Sequence, residues 1–249
     1  MKYRREGVVR HVTVRREAMQ PPRTGRAAAA AALTLPGCGH AVLMTEDRLA
    51  CLMPFEIPSV RLLDVALDMV RDSSGLVLDL RGYPRVHFQH AFVRRLCDGP
   101  VESPRYEIPI AGGPVATRRR WQIIRYTVRP EDVEPRPRVY DKPVVALISA
   151  ETQSSAEDLC MYLRIAGRAT FVGQPTAGCH GNAAFVFLPG GARVSFTGMR
   201  VTWPDGRPFQ GIGVLPDVRV DPARDGVVAE GDEILRQGLD VLRRLTAMS

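Results

Sequence analysis

Lysine is almost missing from this chain of 249 residues, which has Lys2 and Lys142 and otherwise takes its positive charge from arginine. The net charge of +7 reflects 34 basic against 27 acidic residues. No single basic stripe and no nucleic-acid-binding motif accompanies that charge, so we do not expect a nucleic-acid partner. The densest basic run, at 118–120, is more typical of a solvated strand end or loop than of a phosphate-binding patch.

Paired cysteines and long apolar runs are missing as well. The five cysteines are odd in number and include no C-x-x-C pair, so the sequence predicts neither a disulfide framework nor a zinc site. No stretch approaches the roughly 20 apolar residues that span a bilayer. Residues 26–38, RAAAAAALTLPGC, loosely resemble a lipoprotein export signal, but the alternating pattern of residues 8–14 before them favours a strand. We therefore do not expect a stable membrane span, and the residues leave the compartment open.

Strand and helix patterns alternate along most of the chain. Apolar runs at 76–80 and 143–149 predict buried strands, and Ser59 can cap a helix whose apolar side chains recur with helical spacing. Residues 193–203 are predicted to form one strand. This alternation predicts an α/β fold with a mostly parallel sheet and flanking helices.

The start of the chain differs from the rest. Residues 8–14 predict a short strand, and the Pro- and Arg-containing residues 20–26 predict a linker. The regular alternation begins at about residue 47. We therefore divide the chain into an N-terminal strand and linker over residues 1–46 and a larger domain over residues 47–249.

The turn SAETQSSAEDL, residues 149–159, leads from a buried strand into a helix. Ser154 followed by Glu157 fits a capping box, which needs no chemistry. A serine at a helix N-terminus also lies among unpaired amides and at the positive end of the helix dipole, where an oxyanion can be stabilised. Taken alone, these residues leave both interpretations open.

Three longer segments follow one another in a recognisable order: ISAETQSSAED, GRATFVGQPTAG and TWPDGRPFQGIGVLPDVRV, with LVLDLRGYP before them. They resemble the tail-specific (C-terminal-processing) serine peptidases, including the tricorn core protease. The resemblance covers roughly residues 47–245 and implies a crotonase/Clp-like α/β fold. The opening GVVRHVTVRRE is similar to the last strands of the PDZ module that often precedes this catalytic domain, so residues 1–46 are expected to include the end of such a module.

The resemblance implies roles for particular residues. The nucleophile falls on Ser154, with Ser155 as the fallback. The backbone N–H of Ser155 is the implied oxyanion donor, and a second donor is implied in the backbone near Arg85 and Val86. The family has a Gly-Gly pair there that this chain lacks, so the turn need not keep the same shape.

The implied base is where this sequence departs from the family. The family lysine would fall on Cys179 and its assisting glutamine on Ala183, so the Ser–Lys dyad is absent. His180 adjoins the vacant position, and an imidazole with an unperturbed pKa of about 6.5 suits a base near neutrality. His180 is therefore our first candidate for the base, and Gly178 and Cys179 are expected to border the substrate region.

Other assignments of the base stay open. His87 and His90 follow the turn that should approach the site, and His40 lies upstream, where the tricorn-like branch takes its histidine. Cys179 is a further candidate as nucleophile with His180 as its partner. The last alternative is that no group serves as the base.

These residues and the resemblance predict a serine-type peptidase that hydrolyses polypeptides through an acyl-enzyme with a non-lysine base. No metal or organic cofactor is implied. The alternative is a catalytically inactive relative that binds a ligand or peptide, since the interphotoreceptor retinoid-binding proteins contain related domains; an inactive fragment is a third interpretation. The resemblance suggests work outside the cytoplasm, and the oligomeric state stays open.

Overall fold

The computed structural model of the protein describes residues 2–5, 8–11, 31–33, 41–110, 120–132, 138–221 and 232–248. Its strands are β1 Lys2–Arg5, β2 Val8–His11, β3 Ala31–Leu33, β4 Val42–Met44, β5 Leu49–Leu52, β6 Gly75–Asp79, β7 Val101–Glu102, β8 Arg105–Ile110, β9 Arg120–Ile124, β10 Thr127–Val128, β11 Val144–Ile148, β12 Thr170–Gly173, β13 Ala183–Phe187, β14 Arg193–Thr197, β15 Arg200–Thr202 and β16 Val218–Arg219. Its helices are α1 Val60–Val70, α2 Gln89–Leu96, α3 Ser155–Ile165 and α4 Glu233–Ala247, with 3₁₀ turns at Pro54–Glu56 and Pro130–Asp132.

Seven strands form the central sheet, in the order β16-β12-β11-β6-β5-β4-β3. The strands from β16 to β5 pair in parallel, and β4 and β3 continue the sheet antiparallel. The predicted α/β fold with a mostly parallel sheet and flanking helices is confirmed. The linker predicted at 20–26 lies outside the described residues.

Successive side chains of the central strands point to opposite faces of the sheet, so one apolar run serves two cores. On β6, Leu76 and Leu78 pack in the cluster that includes α1, α2 and α3. Val77 between them packs in a second cluster against α4. The sheet therefore lies between two helical layers, as the continuous apolar runs of buried parallel strands require.

The prediction of one continuous strand over residues 193–203 is wrong. This segment divides into β14, which pairs with β13, and β15, which pairs with β8. Gly198 separates the two because its backbone comes close to β13. Its N–H donates to the Asn182 carbonyl at 2.7 Å, and a Cβ there would lie 2.8 Å from the Cβ of Ala184.

The turn after β6 is held by a buried ion cluster. The guanidinium of Arg81 donates to both oxygens of Asp79, at 2.9 and 2.6 Å, and to both oxygens of Asp232, at 2.7 and 2.6 Å. Asp232 also caps α4 by accepting from the Leu235 N–H at 2.9 Å. This cluster therefore links the carboxyl end of β6 to the N-terminus of α4.

Replacing Arg81 by alanine is expected to lower the free energy of unfolding by about 3–5 kcal/mol, because two buried carboxylates lose their shared partner. Urea unfolding followed by circular dichroism measures the change. Arg243→Ala is the matched control, since its ion pair with Asp47 is about half exposed and such pairs contribute about 0–1 kcal/mol. Equal effects of the two variants would contradict this assignment.

The predicted boundary between residues 46 and 47 stays a prediction. Strands β3 and β4 precede that boundary and pair with the central sheet, whereas β1 and β2 form a separate antiparallel pair. Among the helices that the structure describes, none combines the length and apolar character needed to cross a bilayer.

Candidate active site

The candidate site lies at the carboxyl ends of the parallel strands. The loop after β11 leads to Ser154, the loop after β12 leads to His180, and the loop after β6 leads to α2. Because these strands are parallel, their carboxyl ends meet at one edge of the sheet, which is where open α/β sheets form ligand crevices.

Ser154 stands directly before α3 in a strained backbone conformation. Its φ of 49° and ψ of −110° place it in a region of backbone dihedral angles that residues other than glycine rarely adopt. Among the described residues, the other non-glycine residue with positive φ is Arg48. Such strain costs about 1–3 kcal/mol and is found where function or the surrounding structure imposes it. The half-buried Ser154 therefore combines backbone strain with a helix N-terminus.

Glu157 lies in the first turn of α3 and is fully buried. Its Oε2 accepts from the Ser154 N–H at 3.0 Å, as the predicted capping box requires, and from the Cys179 N–H at 3.0 Å. Its Oε1 accepts from the Thr176 hydroxyl at 2.7 Å and the Gly178 N–H at 2.6 Å. One carboxylate thus joins the Ser154 turn to the loop that leads to His180.

Gly178, predicted to border the substrate region, is packed tightly against a second loop. Its φ is +65°, and a Cβ there would lie 2.8 Å from the backbone nitrogen of Gly213. Its carbonyl accepts from the Gly211 N–H at 2.8 Å. Glycine is required here both for the dihedral angle and for the close approach of the two backbones.

Cys179 is exposed, and its thiol lies beside the Ser154 turn. Burial of part of the side chain and the negative charge of Glu157 raise the pKa of the thiol, while a hydrogen bond from the Ser154 backbone opposes that rise. The structure therefore brings the residue at the family lysine position next to the predicted nucleophile. With its raised pKa, Cys179 has a protonated thiol at this place, and a protonated thiol is a weak nucleophile.

Because its pKa is raised, Cys179 should react slowly with iodoacetamide near neutral pH despite its exposure. The rate should rise with pH, with a midpoint above that of an unperturbed thiol, since the thiolate is the reacting species. Mass spectrometry of the Cys179 peptide over a pH series measures the rate. Glu157→Gln removes the neighbouring charge and should shift the midpoint down; a midpoint below that of free cysteine in the unmodified protein would contradict this description.

His180, the first candidate for the base, is buried against Asp158 of α3. Its Nε2 lies 3.0 Å from Asp158 Oδ1, but the alignment is not that of a hydrogen bond. Neither ring nitrogen has a hydrogen-bond partner among the described residues. The ring lies edge-on to Tyr106 and Phe209. A buried imidazole with two unsatisfied nitrogens is uncommon and calls for an explanation.

Asp158 is held in place by Tyr106 of β8. The Tyr106 hydroxyl donates to Asp158 Oδ1 at 2.7 Å. Burial and the charge of Asp158 raise the pKa of Tyr106, so the phenol keeps the proton that it donates. Tyr106 therefore fixes the Asp158 carboxylate beside the imidazole of His180, although the ring does not donate a hydrogen bond to it.

Ser155, the fallback nucleophile, has different partners. It is the first residue of α3 and 6% exposed. Its hydroxyl accepts from Gln89 Nε2 at 2.8 Å and lies 3.2 Å from His87 Nδ1. Because Gln89 donates to this oxygen, the hydroxyl proton is left for His87 whenever Nδ1 is unprotonated. The structure thus pairs His87 with Ser155 and leaves Ser154 without an imidazole among its described hydrogen bonds.

The remaining histidine candidates lie elsewhere. His90 is half-buried and contacts the Tyr126 hydroxyl at 3.2 Å through Nε2, and burial lowers the pKa of its imidazole. No described hydrogen bond joins His90 to either serine of the turn. His40 lies outside the described residues.

The predicted second oxyanion donor stays a prediction. The Arg85 side chain is exposed and lies 3.8 Å from Glu56, and Val86 packs against the core. The described hydrogen bonds do not join the backbone of either residue to the Ser154 turn. The loop nevertheless approaches α3, because Gly82 and Pro84 share a small cavity with Ser155.

Sequence reasoning missed Asp158, Tyr106 and Gln89. Asp158 follows Ser154 by four residues, so helical spacing alone could have placed it on the same face of α3. Tyr106 and Gln89 gave no local signal. Among the described residues, no three His, Cys, Asp or Glu side chains lie close enough together to hold a metal ion.

Part of the chain matches a known family. Residues 107–220 match the model of peptidase family S41. The matched segment includes the Ser154 turn, Glu157 and the loop that carries His180. The resemblance to the tail-specific serine peptidases is thereby confirmed. A search among curated proteins finds no match.

Solved structures show the same fold. Mature CPAF in complex with lactacystin is 16% identical with a TM-score of 0.68, covering 84% of this chain and 55% of that one. A candidate peptidase from Parabacteroides merdae is 16% identical with a TM-score of 0.66, covering 81% and 64%. The tricorn protease is 15% identical with a TM-score of 0.53, covering 80% and 18%. This chain thus spans less than two thirds of the length of each of these structures.

Proposed function

We propose that this protein is a serine-type peptidase in which Ser154 attacks a peptide carbonyl and His180 takes its proton. The observation that carries the proposal is the strained Ser154 at the N-terminus of α3, within the segment that matches peptidase family S41. The substrate is a polypeptide segment, which the resemblance favours. No metal or organic cofactor is needed for this chemistry.

The helix N-terminus supplies the electrostatic part of the reaction. The first amides of a helix have no partner within the helix, and they lie at the positive end of its dipole. The Ser155 N–H is the first of these after the nucleophile, so it serves as one oxyanion donor. Backbone near Arg85 and Val86 is proposed as the second donor, because the neighbouring Gly82 and Pro84 border the cavity that Ser155 lines.

His180 is supported as the base by its surroundings. The Asp158 carboxylate lies 3.0 Å from Nε2, so it can stabilise the imidazolium that forms when the ring accepts a proton. Nδ1 is buried without a hydrogen-bond partner among the described residues, and an acceptor left unsatisfied in the free protein is available to a hydroxyl proton. Catalytic hydrogen bonds are often longer before substrate binds, so we propose that the hydrogen bond between Ser154 and His180 forms in the substrate complex. An acyl-enzyme on Ser154 then forms and is hydrolysed by water.

A second candidate function is polypeptide binding without cleavage. It is favoured by the protonated thiol of Cys179 at the position where the resemblance places the catalytic lysine. The intact Ser154 turn favours the peptidase instead. Both candidates predict contact with an unfolded chain, and they differ in whether the chain is cut.

Incubation with a chemically denatured, carboxymethylated test protein separates the two. The peptidase proposal expects new peptide termini, detected by mass spectrometry, that accumulate with time and with enzyme concentration. Addition of an excess of a serine-reactive fluorophosphonate should stop their appearance. A test protein that is retained by the immobilised chain and stays uncut would contradict the peptidase and support the binding domain.

A further inference from the structure

We propose that Glu157 is a positioning residue that holds the nucleophile and the base-bearing loop in register. This inference rests on the proposed function, because it assigns Glu157 to the reaction that Ser154 and His180 perform. Glu157 does not contact the substrate in this account. It acts through the backbone of the residues around it.

The chemical surroundings of Glu157 are unusual for a carboxylate. It is fully buried, and none of the described ion pairs includes it. A buried charge without a cation is costly unless hydrogen bonds replace its lost hydration. Glu157 has four such donors, three of them backbone N–H groups. Hydrogen bonds to an ionised acceptor are about twice as strong as neutral ones, so this carboxylate binds both segments tightly.

The four donors come from two segments that are distant in sequence. Ser154 belongs to the turn before α3, whereas Thr176, Gly178 and Cys179 belong to the loop that ends at His180. The Ser154 N–H bond holds the residue whose φ is strained. The bonds to Gly178 and Cys179 fix the two residues just before the histidine. Release of Glu157 would therefore loosen nucleophile and base relative to each other while leaving both side chains present.

Glu157→Gln is the sharpest test because it keeps the size of the side chain. An amide presents one oxygen and one NH₂ group, so either the Ser154 and Cys179 N–H groups or the Gly178 N–H group faces another donor, whereas the Thr176 hydroxyl can turn to accept. A misplacement of about 1 Å between reacting groups can cost about 100-fold in rate. We expect kcat for a denatured protein substrate to fall about 100-fold, with KM changed by less than about threefold because uniform binding is untouched.

Two further variants separate positioning from loss of folding. Asp217→Asn is the matched control: Asp217 also accepts from a backbone N–H, that of Phe171 at 2.7 Å, and from Arg164 at 2.6 Å, but it has no described contact with the site. It should leave kcat within about threefold of that of the unmodified protein, because Asp217 accepts from neither the Ser154 turn nor the Gly178 and Cys179 amides. Glu157→Asp keeps the charge on a shorter side chain and should lose less activity than Glu157→Gln. If Glu157→Gln does not fold, Glu157→Asp is judged by the same criterion, a fall in kcat with KM changed by less than about threefold.

Hydrogen–deuterium exchange supplies a readout that needs no activity. The amides of Ser154, Gly178 and Cys179 should be protected in the unmodified protein and exchange faster in Glu157→Gln, but not in Asp217→Asn. Faster exchange together with lower kcat supports the proposal. Unchanged exchange, unchanged kcat, or a loss confined to KM would overturn it. If the unmodified protein cuts no substrate, the proposed function fails, and the exchange data still decide whether Glu157 joins the two segments.

Discussion

Ser154→Ala is expected to reduce kcat/KM for a denatured protein substrate by at least about 1,000-fold, because removal of the nucleophile leaves the oxyanion donors and substrate binding alone. Ser154 has the strained backbone and the place directly before α3 that a nucleophile needs. Proteolysis followed by the release of new amino groups measures the effect. The thermal midpoint should fall only slightly, because loss of the N-cap hydroxyl costs about 0.5–2 kcal/mol, whereas alanine keeps the Ser154 N–H that Glu157 accepts from.

Ser155→Ala is the matched control for that variant. Its hydroxyl already has Gln89 and His87 as partners, and its N–H, the proposed oxyanion donor, survives the substitution. Loss of one hydrogen bond of this kind is expected to change kcat/KM by no more than about tenfold. An inactive Ser155→Ala beside an active Ser154→Ala would contradict the assignment and identify the serine that already contacts a histidine as the nucleophile.

His180→Gln is expected to lower kcat by about 100- to 10,000-fold, the range that a general base contributes. Glutamine keeps a polar side chain of similar size in the buried position beside Asp158 but accepts no proton near neutral pH. Stopped assays of the initial rate over a range of substrate concentrations measure kcat for both proteins.

His87→Gln is the control for the base. His87 is exposed and contacts the hydroxyl of Ser155, so its replacement should leave kcat within about tenfold of that of the unmodified protein. If instead His87→Gln lowers kcat by about 100-fold or more and His180→Gln does not, the base is His87. In that case the contact between His87 Nδ1 and the Ser155 hydroxyl would be the one through which the nucleophile loses its proton.

The sequence was sufficient for the fold because the fold depends on patterns that are local. Continuous apolar runs at β6 and β11 predict strands buried on both faces, and the capping residues Ser59 and Ser154 do precede helices. Asp79 and Arg81, two residues apart, also form local hydrogen bonds at the end of β6. The prediction of one strand over residues 193–203 failed because the backbone of Gly198 comes close to β13 and interrupts the strand. That contact depends on β13, which the local sequence does not specify.

The site was predictable to a smaller extent. The resemblance implies that the family lysine would fall on Cys179, and the thiol of Cys179 lies by the Ser154 backbone. The resemblance could not predict which histidine contacts which residue of the turn, because the contacting residues are distant in sequence. Tyr106 and Asp158 are 52 residues apart, and His87 and Ser155 are 68 residues apart. Such pairs are set by the packing of β8 and α2 against α3, which no local spacing encodes.

Glu157 combines local capping of α3 with the proposed positioning of a distant loop, and the local sequence pattern predicts only the capping. The capping-box pattern predicted its bond to the Ser154 N–H, which is present. The same pattern is silent about the Gly178 and Cys179 amides, which reach the carboxylate from 21 and 22 residues away. Local capping and long-range positioning are therefore consistent with each other, as is expected of a sequence whose local and tertiary preferences agree.

Covalent labelling tests the central claim most directly. A fluorophosphonate probe reacts with a serine only when its hydroxyl is activated, and peptide mapping by mass spectrometry identifies the residue that carries the adduct. We expect one adduct, on Ser154, formed more slowly in His180→Gln and absent from Ser154→Ala. A folded protein that takes up no probe, or one in which the adduct lies on Ser155, would contradict the account.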